Sequence, residues 1–290
     1  MSSELILRAD GSIYHLGLQP EQSTDLVVTV GDPERVAAVS AHFDEVTTRQ
    51  RSREFEAHVG RFAERPITCI STGIGTDNVD IVLNELDALA NVDLASGRPH
   101  PQPRRLTFVR LGTSGTFREE IGVDSLLASA SAVGLDGLGP GYGFAPDAYA
   151  RALAGAYPRW AGHAYGAEAD AGLLEWWRRG GRETVYGRTL TCAGFYGPQL
   201  RSIRLAHAGP SVAELAGLRI ADEGDEGGVH NFEMETAGIY ALSAALGHRA
   251  LSLSAILANR ATGTFSSDPG GTVASLIATF FERLRAEPLT

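Results

Sequence analysis

The chain contains no lysine; all 25 of its cationic residues are arginines. That excludes Schiff-base chemistry and any lysine nucleophile or base, and leaves planar, bidentate guanidinium groups to hold any anion. Cysteine is nearly absent. Cys69 and Cys192 lie in separate apolar, strand-like runs, too far apart in sequence for a disulfide framework or a metal cluster. They read as small core residues of a reducing, cytoplasmic compartment. No run of about 18 apolar residues occurs, so no membrane span is expected. Residues 1–4 lack the basic-then-apolar order of a secretory signal. The formal net charge of −10 argues against a general nucleic-acid binder, which needs a basic surface. No GxGxxG with a distal acid is present, which argues against a dinucleotide cofactor. What the chain does have is apolar material: 43% of 290 residues, ample for a sizeable core.

Apolar runs of strand length alternate with helical patterns. The spacing predicts strands over 26–30, 67–72, 106–111, 125–133, 190–193 and 251–258, and helices over 33–43, 77–89, 168–178, 235–246 and 272–285. Asp32 reads as the first helix's N-cap, with Pro33 at its first position. This alternation predicts an α/β fold, a central sheet flanked by helices, in a single domain over 1–290. Segments 47–52 and 56–62 suggest antiparallel pairing, which makes the sheet mixed. Residues 91–105, with three prolines, read as a surface loop; 134–143, with five glycines, as another; and the acid- and Gly-rich 222–228 as a mobile stretch.

Chemistry concentrates in a few places. In Asn231-Phe232-Glu233-Met234-Glu235-Thr236 two carboxylates flank the only methionine besides Met1. A carboxylate accepts hydrogen bonds in pairs, as a vicinal diol requires, and methionine offers a soft apolar floor to a sugar face. The plainer alternative is an acidic helix start. Gly31-Asp32-Pro33-Glu34-Arg35 opens a helix, where free backbone N–H groups attract anions. Arg110 interrupts a buried-strand pattern, and a buried charge must be paired or bind an ion. With Thr113 in the Gly112-Thr113-Ser114-Gly115 turn expected after that strand, it reads as an oxyanion cradle at a strand's carboxyl end. Phe195-Tyr196-Gly197-Pro198-Gln199-Leu200-Arg201 joins a stacking face to an amide and a guanidinium, matching the two carbonyls and one N–H of a uracil edge. Arg49, Arg51 and Arg53 alternate as one face of a strand would, and Ser71-Thr72-Gly73-Ile74-Gly75 is a second strand-end glycine turn. His15 alone reads as a surface histidine.

The order of these pieces resembles the nucleoside phosphorylase family of the uridine phosphorylase type. The matching motifs are His15-Leu16-Gly17, Gly31-Asp32-Pro33-Glu34-Arg35, Arg53-Glu54-Phe55, Ser71-Thr72-Gly73-Ile74-Gly75, Arg110-Leu111-Gly112-Thr113, Phe195-Tyr196 with Gln199 and Arg201, Glu233-Met234-Glu235, and Asn259-Arg260. The resemblance implies a single α/β domain with a distorted central sheet. It implies phosphorolysis of a pyrimidine nucleoside, uridine foremost, to free base and ribose 1-phosphate. Gly31, Arg35, Arg53, Arg110 and Thr113 would bind phosphate; His15, Met234 and Glu235 ribose; Phe195, Gln199 and Arg201 the base. Arg35, Arg110, Arg201 and Glu235 would carry the catalysis. Arg53 and His15 would come from a neighbouring subunit of a homo-oligomer, a dimer or a hexamer built from dimers. No cofactor is implied beyond inorganic phosphate as co-substrate, with a monovalent cation in some members at positions held here by Glu54, Ile74 and Asn78, where Asn78 replaces the usual serine. Residues 261–268 depart from the usual lid sequence. The alternatives are a purine nucleoside phosphorylase, a methylthioadenosine-type hydrolase, and a nucleoside-binding sensor of the same fold without catalysis.

Overall fold

The structure, a computed structural model, describes residues 4–218 and 228–289. The expected mobile stretch therefore lies outside the described residues except for Gly228. In chain order the elements are β1 (Leu26–Val30), α1 (Pro33–Ser40), β2 (Glu45–Ser52), β3 (Phe55–Phe62), β4 (Arg65–Ser71), α2 (Thr76–Asn91), β5 (Val92–Asp93), β6 (Arg98–Pro99), β7 (Thr107–Thr116) and β8 (Leu126–Leu135). There follow α3 (Leu138–Tyr142), α4 (Ala148–Ala156), β9 (Ala164–Glu168), α5 (Ala171–Arg179), β10 (Val185–Cys192), α6 (Val212–Gly217), β11 (Val229–Glu233), α7 (Thr236–Ala245), β12 (Arg249–Asn259), β13 (Thr264–Phe265) and α8 (Pro269–Ala286).

The sheet is mixed and folds back on itself. Strands β7, β12, β8, β10 and β11 pair in a closed circuit, and β1, β4, β3 and β2 extend from β7 as an open arm. Both faces of the central strands are covered, so these strands alternate between two cores, whereas the edge strand β2 alternates with water. Val27 and Phe108 pack with Val82, Leu83 and Ile239 of α2 and α7. Their neighbours Val28 and Val109 pack on the other side with Val36, Trp177 and Phe280 of α1, α5 and α8. By the same alternation Arg110 lies on the face of Phe108, the side covered by α2 and α7.

Several boundaries differ from the sequence reading. The first helix stops at Ser40, before residue 43. Residues 112–115 are not a turn: β7 runs through them to Thr116, because β12 pairs with it over its whole length. The glycine-rich 134–143 holds the end of β8 and the short helix α3, and 91–105 contains the two-residue hairpin β5–β6. Arg53 leaves the strand face of Arg49 and Arg51; it sits in the β2–β3 turn with φ +54°. Cys69 and Cys192 are buried, and burial pushes both thiols well above the ordinary range.

Candidate active site

The strand pairing opens the site. On one edge of β7, β1 pairs as far as Arg110, and β11 takes over only at Gly115. Leu111–Ser114 therefore have no strand partner on that edge, and a cavity of about 980 Å³ lies there. Gly31, Arg35, Arg110, Thr113, Phe195, Gln199, Arg201, Met234 and Glu235 all line it.

The helix after β1 brings in the first arginine. Asp32 caps α1, its Oδ1 accepting from the Glu34 N–H at 2.9 Å, and Pro33 fills the first position, where no N–H is needed. Arg35, one turn in, reaches back across the gap and donates from Nη1 to the Leu111 carbonyl at 3.4 Å. Burial, and then the neighbouring Arg110, hold the Arg35 guanidinium below its ordinary pKa.

Arg110 is 5% exposed and paired. Its Nη2 lies 2.5 Å from Glu235 Oε2 and 3.3 Å from Glu233 Oε2, and its Nη1 donates to Ser254 Oγ at 3.4 Å. Burial works against its charge, but Glu233 and Glu235 outweigh that and hold its pKa above the ordinary value. Gly112 makes this placement feasible: a Cβ there would meet Arg110 Nη1 at 1.9 Å.

The two carboxylates of the hexapeptide have separate duties. Glu233 is the helix start. Its Oε2 accepts from the Glu235 and Thr236 N–H groups, both at 2.9 Å, and its Oε1 from Thr191 Oγ1 at 2.5 Å. Glu235, the N-cap residue of α7, makes no capping bond with its own side chain. It faces the cavity instead, bridging Arg110 and the Gly75 N–H, which donates to Oε1 at 2.8 Å. Burial pushes the Glu235 carboxyl up, Arg110 pulls it down, and the adjacent Glu233 adds to the upward push. Gly75 presents its N–H from a turn with φ +67° at Gly73 and +97° at Gly75, a backbone that favours glycine.

A second polar group comes from the loop after β10. Gln199 is buried, and its Oε1 accepts from Arg201 Nη1 at 2.7 Å, which turns its amide nitrogen away from that bond. Arg201 Nη1 also donates to the Phe195 carbonyl at 2.7 Å, and the guanidinium lies 3.9 Å above the Phe195 ring centroid. Burial, then Arg260, lower the Arg201 pKa. Arg260 donates to the Gln199 carbonyl and, at 2.9 Å, to the Leu200 carbonyl, where Leu200 sits in the left-handed region at φ +59°. A leucine there is strained, and the guanidinium holds the loop in that shape.

Two expected site residues lie elsewhere: neither His15 nor Arg53 lines the cavity. His15 Nδ1 is 2.6 Å from Glu85 Oε1, and Arg53 Nη2 donates to the Tyr14 hydroxyl at 3.2 Å. Of the cation-position residues, Glu54 and Ile74 line the cavity and Asn78 does not. Arg260, quoted in the Asn259-Arg260 motif but given no site role, also lines it, as does Phe265, which sequence reasoning missed. An arginine ending an apolar strand gave a signal for the first; nothing in the sequence marked the second.

A family model for the phosphorylase superfamily matches residues 25–284. The chain belongs to this superfamily. Among curated superfamily proteins, a uridine phosphorylase of Thermococcus kodakarensis is 30% identical over 99% of this chain and 91% of its own length. The uridine phosphorylase of Escherichia coli is 29% identical over 86% of each. A Trypanosoma brucei nucleoside phosphorylase, described as showing uridine phosphorylase activity, superimposes with a TM-score of 0.86 at 26% identity, covering 97% of this chain and 99% of that one. The superfamily fold thus accounts for the mixed central sheet flanked by helices. Among the described residues no helix is long and apolar enough to cross a membrane.

Proposed function

We propose that the protein cleaves uridine with inorganic phosphate, releasing uracil and ribose 1-phosphate. The observation that carries this is the joining, in one cavity, of the Arg110–Glu235 pair with the Gln199–Arg201 pair. The first can hold an anion beside a diol; the second presents amide and guanidinium groups suited to a pyrimidine edge.

In the mechanism, phosphate lies against Arg35, Arg110, Thr113 and the backbone at Gly31, beneath the ribose carbon that will be attacked. Glu235 accepts from the ribose hydroxyls and Met234 packs on the sugar face. As the glycosidic bond breaks, the sugar gains positive character, and phosphate both stabilises it and attacks it. The bond electrons leave on uracil, spread over its carbonyl oxygens, where donors fixed in advance stabilise them. Arg201 and the Gln199 amide supply those donors, and Phe195 covers the ring. The described cavity wall carries four arginines (35, 110, 201, 260) and four carboxylates (32, 54, 233, 235). Phosphate therefore enters a wall of balanced charge, which supports a further cation, Arg53, arriving from a neighbouring subunit together with His15. A homo-oligomer with shared sites follows from this reading. The cation positions are less suited to their expected role. Asn78, which stands in place of the usual serine, lies with its side-chain amide against Gly73. No step runs through a cation.

A purine base needs a proton at N7 to leave well. Asn259, at the end of β12, offers none: its Nδ2 donates to the Arg118 and Ile121 carbonyls, both at 2.8 Å, and its Oδ1 accepts from the Ala261 and Thr262 N–H groups. The test is uridine absorbance followed with and without phosphate. Phosphate-dependent release of uracil supports the proposal. Release without phosphate marks a hydrolase, binding without turnover marks a sensor, and faster turnover of inosine than uridine overturns the base assignment.

A further inference from the structure

Arg53 and His15, the two residues outside the cavity, belong to one built unit. Arg53 is exposed, has a left-handed backbone and makes no ion pair with a carboxylate among the described residues. Its guanidinium rests 5.2 Å over the Tyr14 ring centroid, with Nη2 donating to the Tyr14 hydroxyl at 3.2 Å. His15 follows Tyr14 directly, its ring edge-on to the tyrosine at 4.9 Å. Glu85 of α2 accepts from the His15 and Leu16 N–H groups at 3.0 and 2.9 Å and meets His15 Nδ1 at 2.6 Å. An ionised carboxylate only accepts, so Nδ1 of the neutral imidazole is the donor to Glu85 and Nε2 remains the acceptor. The turn's carbonyls are fixed as well: Arg8 Nε donates to the Tyr14 carbonyl at 2.8 Å, and Arg8 and Ser52 both donate to that of His15. This much bonding around two residues fixes both ends of the unit, while the working atoms of Arg53 and His15 have no partner in their own protomer's cavity.

We propose that Tyr14 and Glu85 are positioning residues: Tyr14 aims Arg53, and Glu85 orients His15, for the phosphate and the ribose 5′-hydroxyl of the neighbouring protomer's site. The inference rests on the shared-site reading above and adds how the donated groups are held. An arginine loses rotamer freedom when it clamps an anion, and resting on an aromatic face beforehand removes part of that loss.

The test is a double-mutant cycle read on KM for phosphate. Arg53→Ala raises it strongly. Tyr14→Phe, which keeps the ring and removes the hydroxyl, raises it about five- to tenfold with KM for uridine within about twofold. Tyr14→Phe added to Arg53→Ala raises it no further. In parallel, Glu85→Gln and Glu85→Asp weaken turnover of uridine but not of 5′-deoxyuridine, which lacks the hydroxyl His15 serves; a folding defect would weaken both. The inference is overturned if Tyr14→Phe is silent while Arg53→Ala acts, if its effect persists without Arg53, or if both nucleosides lose activity equally in both Glu85 variants. If Arg53→Ala and His15→Ala are themselves silent, the shared-site reading fails first and takes the inference with it.

Discussion

Replacing Arg110 with methionine should unfold the protein in a pH-dependent way as well as inactivate it. Methionine matches the arginine stem, so the change is one of charge and hydrogen bonding rather than volume. It leaves Glu235 without its 2.5 Å partner and Glu233 without its 3.3 Å one, in a place where Arg110 is 5% exposed. Removing one member of a buried ion pair costs about 3–5 kcal/mol, because the other charge stays buried and uncompensated. The pH dependence has a definite sign. Arg110 is the main group pulling the Glu235 carboxyl down against burial, so without it the folded pKa rises further above the ordinary glutamate value of 4.5. Between the unfolded and the raised folded value, the native state binds the extra proton, and stability falls as pH rises through that window. The unfolded value is common to both proteins, so the deficit is largest above the variant's folded value, shrinks as pH falls toward the wild type's own raised folded value, and is constant below that. Urea denaturation across that pH range, at one fixed protein concentration because assembly adds to apparent stability, measures it. Adding Glu235→Gln to Arg110→Met should restore much of the stability and flatten the pH dependence without restoring phosphorolysis. A deficit below about 1 kcal/mol at pH 8, the size expected of an exposed pair, would refute the reasoning, as would a deficit independent of pH.

Three other outcomes follow from the same geometry. Arg201→Ala removes a donor to the leaving uracil and should lower kcat by about 10²–10³-fold with a smaller change in KM for uridine, read in steady-state phosphorolysis. Asn259→Asp places a carboxylate against the Arg118 and Ile121 carbonyls; it should cost about 2–4 kcal/mol in denaturant melts and give no inosine phosphorolysis, since the new group faces the backbone rather than a base. Asp136, which accepts from the Leu138 N–H and the Tyr165 hydroxyl at 2.9 Å each, is pushed by burial above the ordinary aspartate range. Wild-type stability should thus decline as pH rises from the unfolded aspartate value through the raised folded one, and Asp136→Asn should lose that part of the slope in melts between pH 4 and 7.

The parts of this fold legible from sequence are those fixed by local chemistry. Asp32-Pro33 announced the start of α1, and the apolar runs at 26–30 and 251–258 announced central strands. Arg110 drew attention because an arginine in a buried run needs a partner. What could not be read depends on distant pairing. Gly112–Gly115 has the composition of a turn and becomes strand because β12 pairs along it. The division of labour between Glu233 and Glu235 is set by Thr191 and Gly75, which come from other strands and loops. Arg260 was visible as a residue but not as the anchor of the Gln199–Leu200 backbone, a contact across about 60 residues.

The interrupted edge of β7 has a consequence for how such a site can change. The arginine–carboxylate part is anchored in the sheet and in helix starts, where a substitution disturbs the core packed beside it. The groups proposed to face the base sit on the loop after β10, which Arg260 ties to the end of β12. Exchange of that loop can thus remodel which base is accepted while the phosphate end is inherited unchanged, so drift in substrate range should accumulate at 195–201, and changes at 31–35 or 110–113 should cost the fold as well as the reaction.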